Sequence, residues 1–190
     1  MSRDTQIVEL AGRNRLASEL QRAGIEVARP ERDHGIDLVA YLDRDSFCAR
    51  PIQMKAASRE NFDIHRRYAQ FPELMLVFVW DVEQPLSRYF ALAYDEAVSV
   101  AHAMGWTITR SWRGEIASGR AGYGTRKPGS KLRVLLDQYE IKKPEQWKQR
   151  LFAESTGVPH LQLSEVFKRP ARAKLRLKRL FSESTVLHQP

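Results

Sequence analysis

A single cysteine, Cys48, occurs in the 190 residues, so no intramolecular disulfide can form. Set between Phe47 and Ala49, it reads as a small buried hydrophobe. The five histidines, at 34, 65, 102, 160 and 188, show no zinc-like spacing with it. His34 lies three residues before Asp37, where a turn histidine is the plainer reading and a site-lining one the alternative. No run of 18 or more apolar residues appears, which excludes a spanning helix from the expectations. The segment Met1-Ser2-Arg3-Asp4-Thr5 leads straight into a mixed polar helix and lacks a signal-peptide core. A cytoplasmic location without membrane contact is the expectation. No internal repeat is visible, and no Gly-Lys-Ser/Thr ending makes a phosphate loop of the glycines.

Acidic residues are scarce in the second half. Residues 1–110 carry 14 Lys+Arg and 16 Asp+Glu, while residues 111–190 carry 17 and 7, so the front is nearly neutral and the back strongly basic. The run from Lys168 to Arg179 has seven basic residues and no acid: Lys168, Arg169, Arg172, Lys174, Arg176, Lys178 and Arg179. Such a run neutralises phosphates and makes binding steeply salt dependent. A solvated tail with no specific ligand is the plain reading, and RNA, DNA or an acidic protein face would each satisfy the charge.

Apolar residues make up 43% of the 22.0 kDa chain, enough for one full core plus an appendage. Apolar positions at helical spacing (Ile7, Leu10, Ala17, Leu20) predict a first helix from Thr5 to Ala23, stopped by Gly24. Ile25 to Ala28 reads as a strand, and a charged turn through Gly35 leads to two further apolar runs, Ile36–Leu42 and Pro51–Lys55. Ala56 to Gln70 is polar, with a helix expected near its end. Leu74 to Trp80 is apolar on both faces and reads as the central strand. Tyr89–Ala93 predicts a fifth strand and Tyr94–Met104 a helix. Gly114 to Gly129 holds five glycines together with Arg120, Arg126 and Lys127, and reads as a basic loop that either lies over a nucleic-acid backbone or is plain surface. Helices are expected over Lys131–Tyr139 and after Pro144, with Trp147 and Leu151 on the second.

The chemistry concentrates in the pair Ile36–Leu42 and Pro51–Lys55. A strand repeats every two residues, so Gln53 and Lys55 point to one face and Met54 to the other. Asp37 opens its strand just after Gly35, where the backbone is free to bend. If the strands pair, a carboxylate, an amide and an amine converge. A carboxylate is a hard ligand for Mg²⁺ or Mn²⁺, an amide oxygen adds a neutral ligand, and an ammonium holds a phosphate. Read singly, Asp37 is a turn former and Lys55 an edge-protecting charge.

The order Gly35-Ile36-Asp37, a gap, then Gln53-Met54-Lys55 resembles the PD-(D/E)xK nuclease superfamily in its D…QxK variant, over roughly the first 110 residues. The resemblance implies an α/β core of the restriction-endonuclease type over residues 1–112, with a mixed sheet of about five strands flanked by helices. Residues 113–190 are then a Gly-rich loop and a basic helical extension. It further implies a metal-dependent phosphodiesterase acting on nucleic acid, most simply DNA. Asp37 is the expected main ligand of Mg²⁺ or Mn²⁺, Gln53 the replaced acid, the Met54 carbonyl an extra ligand and Lys55 the lysine of the triad. Many members act as homodimers, although this chain shows no dimerisation signature. Two departures stand out: Gln53 removes one negative charge, and Gly12-Arg13-Asn14 lacks the glutamate that many members carry in the first helix. Glu9, seven residues before Leu16, is the expected substitute if it faces inward, and a solvated helix glutamate otherwise. The same departures suit a catalytically inactive nucleic-acid-binding protein of this fold. A partner in a toxin or defence system, meeting an acidic protein surface with its basic tail, is a third reading.

Overall fold

In the computed structural model of the chain, which describes residues 4–32, 35–43, 47–71, 73–116 and 121–152, helix α1 spans Thr5–Arg22. Asp4 caps it, its side chain accepting the Gln6 N–H at 2.9 Å and satisfying a donor that the first turn leaves without a partner. Strands β1 (Glu26–Ala28), β2 (Leu38–Asp43) and β3 (Phe47–Ala56) form an antiparallel meander. The ten-residue β3 is twice the length of the predicted Pro51–Lys55 run, because its outer half pairs with β2 up to Asp43 opposite Phe47.

Next come β4 (Phe62–His65), a 3-10 turn over Arg66–Gln70 where a helix is expected, and β5 (Met75–Trp80). All six residues of β5 are buried. It pairs parallel with β3 and antiparallel with β6 (Arg88–Ala93), which fixes it at the centre as its two-faced apolarity predicts. Helix α2 (Tyr94–Ala103) starts where Glu96 accepts the Ala93 N–H at 2.7 Å. A 3-10 turn over Trp106–Ile108 and the short α3 (Arg110–Arg113) follow. The chain continues through β7 (Gly122–Thr125), α4 (Ser130–Asp137), β8 (Glu140–Ile141) and α5 (Glu145–Phe152).

The main sheet is mixed and six-stranded, in the order β1-β2-β3-β5-β6-β8, with helices on both faces; β4 and β7 form a separate antiparallel pair. The sixth strand comes from Glu140 and Ile141, a dipeptide too short to announce itself by alternation. One face, bearing Ile52, Met54, Val77 and Val79, packs against Leu16 and Leu20 of α1 and against Trp147 and Leu151 of α5. The other, bearing Leu76, Phe78, Trp80 and Phe90, packs against α2, against Leu132 and Leu136 of α4, and against Phe62 and Ile64 of β4. Residues on both sides of position 112 therefore supply the same two cores. Gly12 is a point of close approach between α1 and β3, since a Cβ there would stand under 3.0 Å from the Ala56 Cβ. Ala56 is the last residue of β3, so the helix turns before Gly12 overhang the end of that strand. Among the described residues, no helix is long and apolar enough to cross a membrane.

Candidate active site

The β2–β3 ladder ends at Leu38 opposite Ile52, and one residue earlier the chain continues the pairing by a different means. The Asp37 N–H donates to the Ile52 carbonyl at 2.8 Å, and the Asp37 carboxylate accepts the Met54 N–H at 2.6 Å. The side chain thus stands in for the backbone acceptor that β2 no longer offers. The Gln53 amide nitrogen donates to the same Asp37 Oδ2 and also to the Met54 carbonyl at 3.2 Å. One NH₂ group is therefore held between a carboxylate oxygen and a main-chain carbonyl oxygen. Gln53 is 7% exposed, the one buried polar residue among the described residues, and burial of an amide is tolerated when its hydrogen bonds are made. Gly35, at φ 99°, gives the approach to Asp37 its left-handed turn; a Cβ there would lie 3.5 Å from the Phe71 ring and 3.8 Å from Gln53 Oε1 and Tyr68 Cε1.

Gln53 pairs with Leu76 and Lys55 with Phe78, so both point to the face opposite α1, as the period of two predicts. Lys55 Nζ lies 3.2 Å from Asp63 Oδ2 and 5.5 Å from the centre of the Tyr68 ring. His65 Nε2 approaches the same Asp63 oxygen at 3.4 Å. Asp63 and His65 alternate with the buried Phe62 and Ile64 on β4, which aims the polar pair away from the core. Burial pushes the Lys55 ammonium down, but the Asp63 carboxylate and the Tyr68 hydroxyl outweigh it and raise its pKa above the ordinary lysine value. Burial likewise pushes the Asp63 carboxyl up, and the hydrogen bonds from His65 and Lys55 overcome this and hold it below the usual aspartate value. Lys55 is thus a fixed cation. Tyr68, close to Gly35 on one side and to Lys55 on the other, ties the two halves of the site together.

Asp37, Gln53 and Met54 are brought into direct contact, and Lys55 shares the face of Gln53. Glu9 is not brought to them. Its side chain is 56% exposed and pairs with Arg13 at 2.8 Å, one turn up the same helix. The buried stripe of α1 runs through Gly12, Leu16 and Leu20 on the far face of the sheet, and Glu9 lies about 4.5 Å of helix rise before Gly12, past the end of β3. The expected inward orientation is corrected by that overhang. Arg126 and Lys127 directly follow β7 and are exposed. Arg120, His34 and the run from Lys168 to Arg179 lie outside the described residues.

Asp63, His65 and Tyr68 were not expected at the site. Period-two alternation in Phe62-Asp63-Ile64-His65 was their only sequence signal, and four residues inside a polar stretch carry little of it. Among the described residues, no group of three or more His, Cys, Asp or Glu side chains could hold a metal ion. Any cation here would rely on one carboxylate plus amide and carbonyl oxygens. Comparison with family models, curated proteins and solved structures finds no match to this chain.

Proposed function

We propose that the protein is a metal-dependent nuclease of the restriction-endonuclease type, hydrolysing phosphodiester bonds in nucleic acid, with DNA as the first substrate to test. The observation that carries this reading is the Gln53 amide held between Asp37 Oδ2 and the Met54 carbonyl. The electropositive NH₂ stands where those two oxygens demand positive charge. Turning that amide end for end about its last side-chain bond replaces NH₂ with Oε1 and collects three oxygens that a cation would reconcile. Amide oxygen, carbonyl and one carboxylate form a hard donor set suited to Mg²⁺ or Mn²⁺, with water and a substrate phosphate completing the shell. The donor set fits. A bound cation would supply Lewis acidity and lower the pKa of a water.

The chain's own residues supply the rest. Asp37 fixes the orientation of the Gln53 amide. Lys55, held cationic by Asp63 and Tyr68, is suited to neutralise a phosphate oxygen and the charge that develops on it, and unsuited to serve as a base. Asp63 aims that ammonium and His65 aims Asp63. The basic residues outside the site supply backbone affinity without reading sequence.

The test is nicking of supercoiled plasmid and of single-stranded DNA with Mg²⁺ or Mn²⁺, wild type beside Lys55→Ala. Metal-dependent nicking that falls by about 10²–10³-fold in the variant is the expected result. A second reading, a nucleic-acid-binding protein without catalysis, is favoured by the structural use of the Asp37 carboxylate on Met54. Binding without cleavage under either metal selects it.

A further inference from the structure

A cleft of about 740 Å³ opens where α1 overhangs the end of β3. Thr5 and Val8 of α1, Ala56, Arg59, and Arg126 and Lys127 beyond β7 are among its lining residues. We infer that this cleft binds the sugar–phosphate backbone of a nucleic-acid strand flanking the candidate active site, with Arg59, Arg126 and Lys127 as the phosphate-binding residues. The inference rests on the nucleic-acid reading proposed above.

The charge balance of the cleft points there. Among its described lining residues the one acid, Glu60, is already neutralised: Oε2 accepts from Arg133 at 2.7 and 2.9 Å, and Oε1 lies 3.5 Å from Arg88. Arg59, Arg126 and Lys127 make no ion pair with any described residue, and all three are exposed. Three uncompensated cations around one concavity repel each other, and low-dielectric walls focus their field outward onto an anion. The volume is far more than a lone phosphate needs and lies in the range of sites that hold nucleotide-sized ligands. Val8 and Ala56 add an apolar strip against which a sugar can lie, and Ser58 and Asn61 add polar groups at the same place. Asn61 also leaves its side-chain carbonyl buried without a hydrogen-bond partner, an unmet acceptor beside a cleft otherwise rich in donors. Ala56 faces α1 and Lys55 the opposite side of the sheet, so the cleft meets the site around the end of β3, where its lining residue Asn61 lies two residues before Asp63 of β4.

The experiment measures binding of a fluorescent twelve-nucleotide oligothymidylate to the full chain by anisotropy across a salt series. Wild type is compared with the combined Arg59→Gln, Arg126→Gln and Lys127→Gln variant, and with a control that neutralises Arg29, Lys143 and Lys148, which are exposed and not among the cleft's lining residues. The expected result is at least tenfold weaker binding for the cleft variant near 0.1 M salt and a salt slope shallower by about 2, with the control moving both much less. Equal effects in the two variants, or none in the cleft variant, would overturn the assignment. Circular dichroism confirms that both fold. Metal-dependent nicking is scored separately on wild type and Lys55→Ala. Loss of binding in the cleft variant with no nicking by wild type removes the nuclease and keeps the cleft, while nicking with cleft-independent binding does the reverse.

Discussion

Asp37 and Met54 are joined by a hydrogen bond from the Met54 N–H to the aspartate side chain at 2.6 Å, at the point where the backbone ladder between their strands stops. The carboxylate that would ligate a cation is therefore also a piece of the sheet. Asp37→Ala is expected to lower stability by about 2–3 kcal/mol in urea unfolding, because it leaves a buried N–H and the Gln53 amide without their charged acceptor. Asp37→Asn should cost less, since an amide oxygen still accepts. Loss of activity in either variant must be corrected for unfolding, which makes Lys55→Ala the cleaner probe of chemistry.

Gln53→Glu separates the cation site from the hydrogen-bond site. Two carboxylates would face each other across the Met54 carbonyl, so at pH 7 without divalent ions the variant should be about 1–2 kcal/mol less stable than wild type. Mn²⁺ or Mg²⁺ in excess should restore most of that loss and raise the melting temperature more than in wild type. A variant whose melting is indifferent to divalent ions would show that the three oxygens do not form a cation site.

The Lys55–Asp63 pair sets a pH dependence with a definite sign. Asp63 is held below its ordinary value of 3.8, so its contribution is complete above that pH and fades as the pH falls through the lower folded value. Lys55 is raised above its ordinary 10.5, so its contribution is complete below that pH and disappears only as the pH climbs past the higher folded value. Asp63→Asn should therefore cost about 1–3 kcal/mol near neutrality, and the gap to wild type should close on acidification below 3.8. Denaturant titrations at pH 7 and in strong acid measure both ends.

Gly12 offers a close helix–sheet contact to test. Gly12→Ala brings two methyl groups into the same space against Ala56, and should destabilise by about 1–3 kcal/mol despite the better helix propensity of alanine. Adding Ala56→Gly should return part of that loss, and a double-mutant cycle reads the coupling directly.

What was legible in the sequence follows from the strength of each local signal. The long apolar run ending at Trp80 placed the central strand, and the spacing of Ile7, Leu10, Ala17 and Leu20 placed α1 within a residue of its observed end, although Ile7 and Leu10 are exposed and the buried stripe runs through Gly12, Leu16 and Leu20. The shared face of Gln53 and Lys55 was legible because alternation fixes which residues of a strand point the same way. Strand β7 was hidden by its composition: Gly122 and Gly124 read as loop, yet they lie opposite His65 and Asp63, where any Cβ would collide with β4. Glu9 went astray for another reason. Helical geometry gives the angle of a residue but not whether a sheet still lies beneath it, and that depends on the end of β3 at Ala56.

Helix α5 has a consequence for anyone trimming the protein. Trp147 and Leu151 are fully buried in the α1 core, and the Leu151 carbonyl accepts Arg50 Nε of β3 at 2.9 Å, so α5 is latched to a strand laid down a hundred residues earlier. A shortened chain ending at Phe152 sheds every basic residue of the Lys168–Arg179 run and keeps that latch, whereas a cut before Glu145 would strip one wall from the central strands.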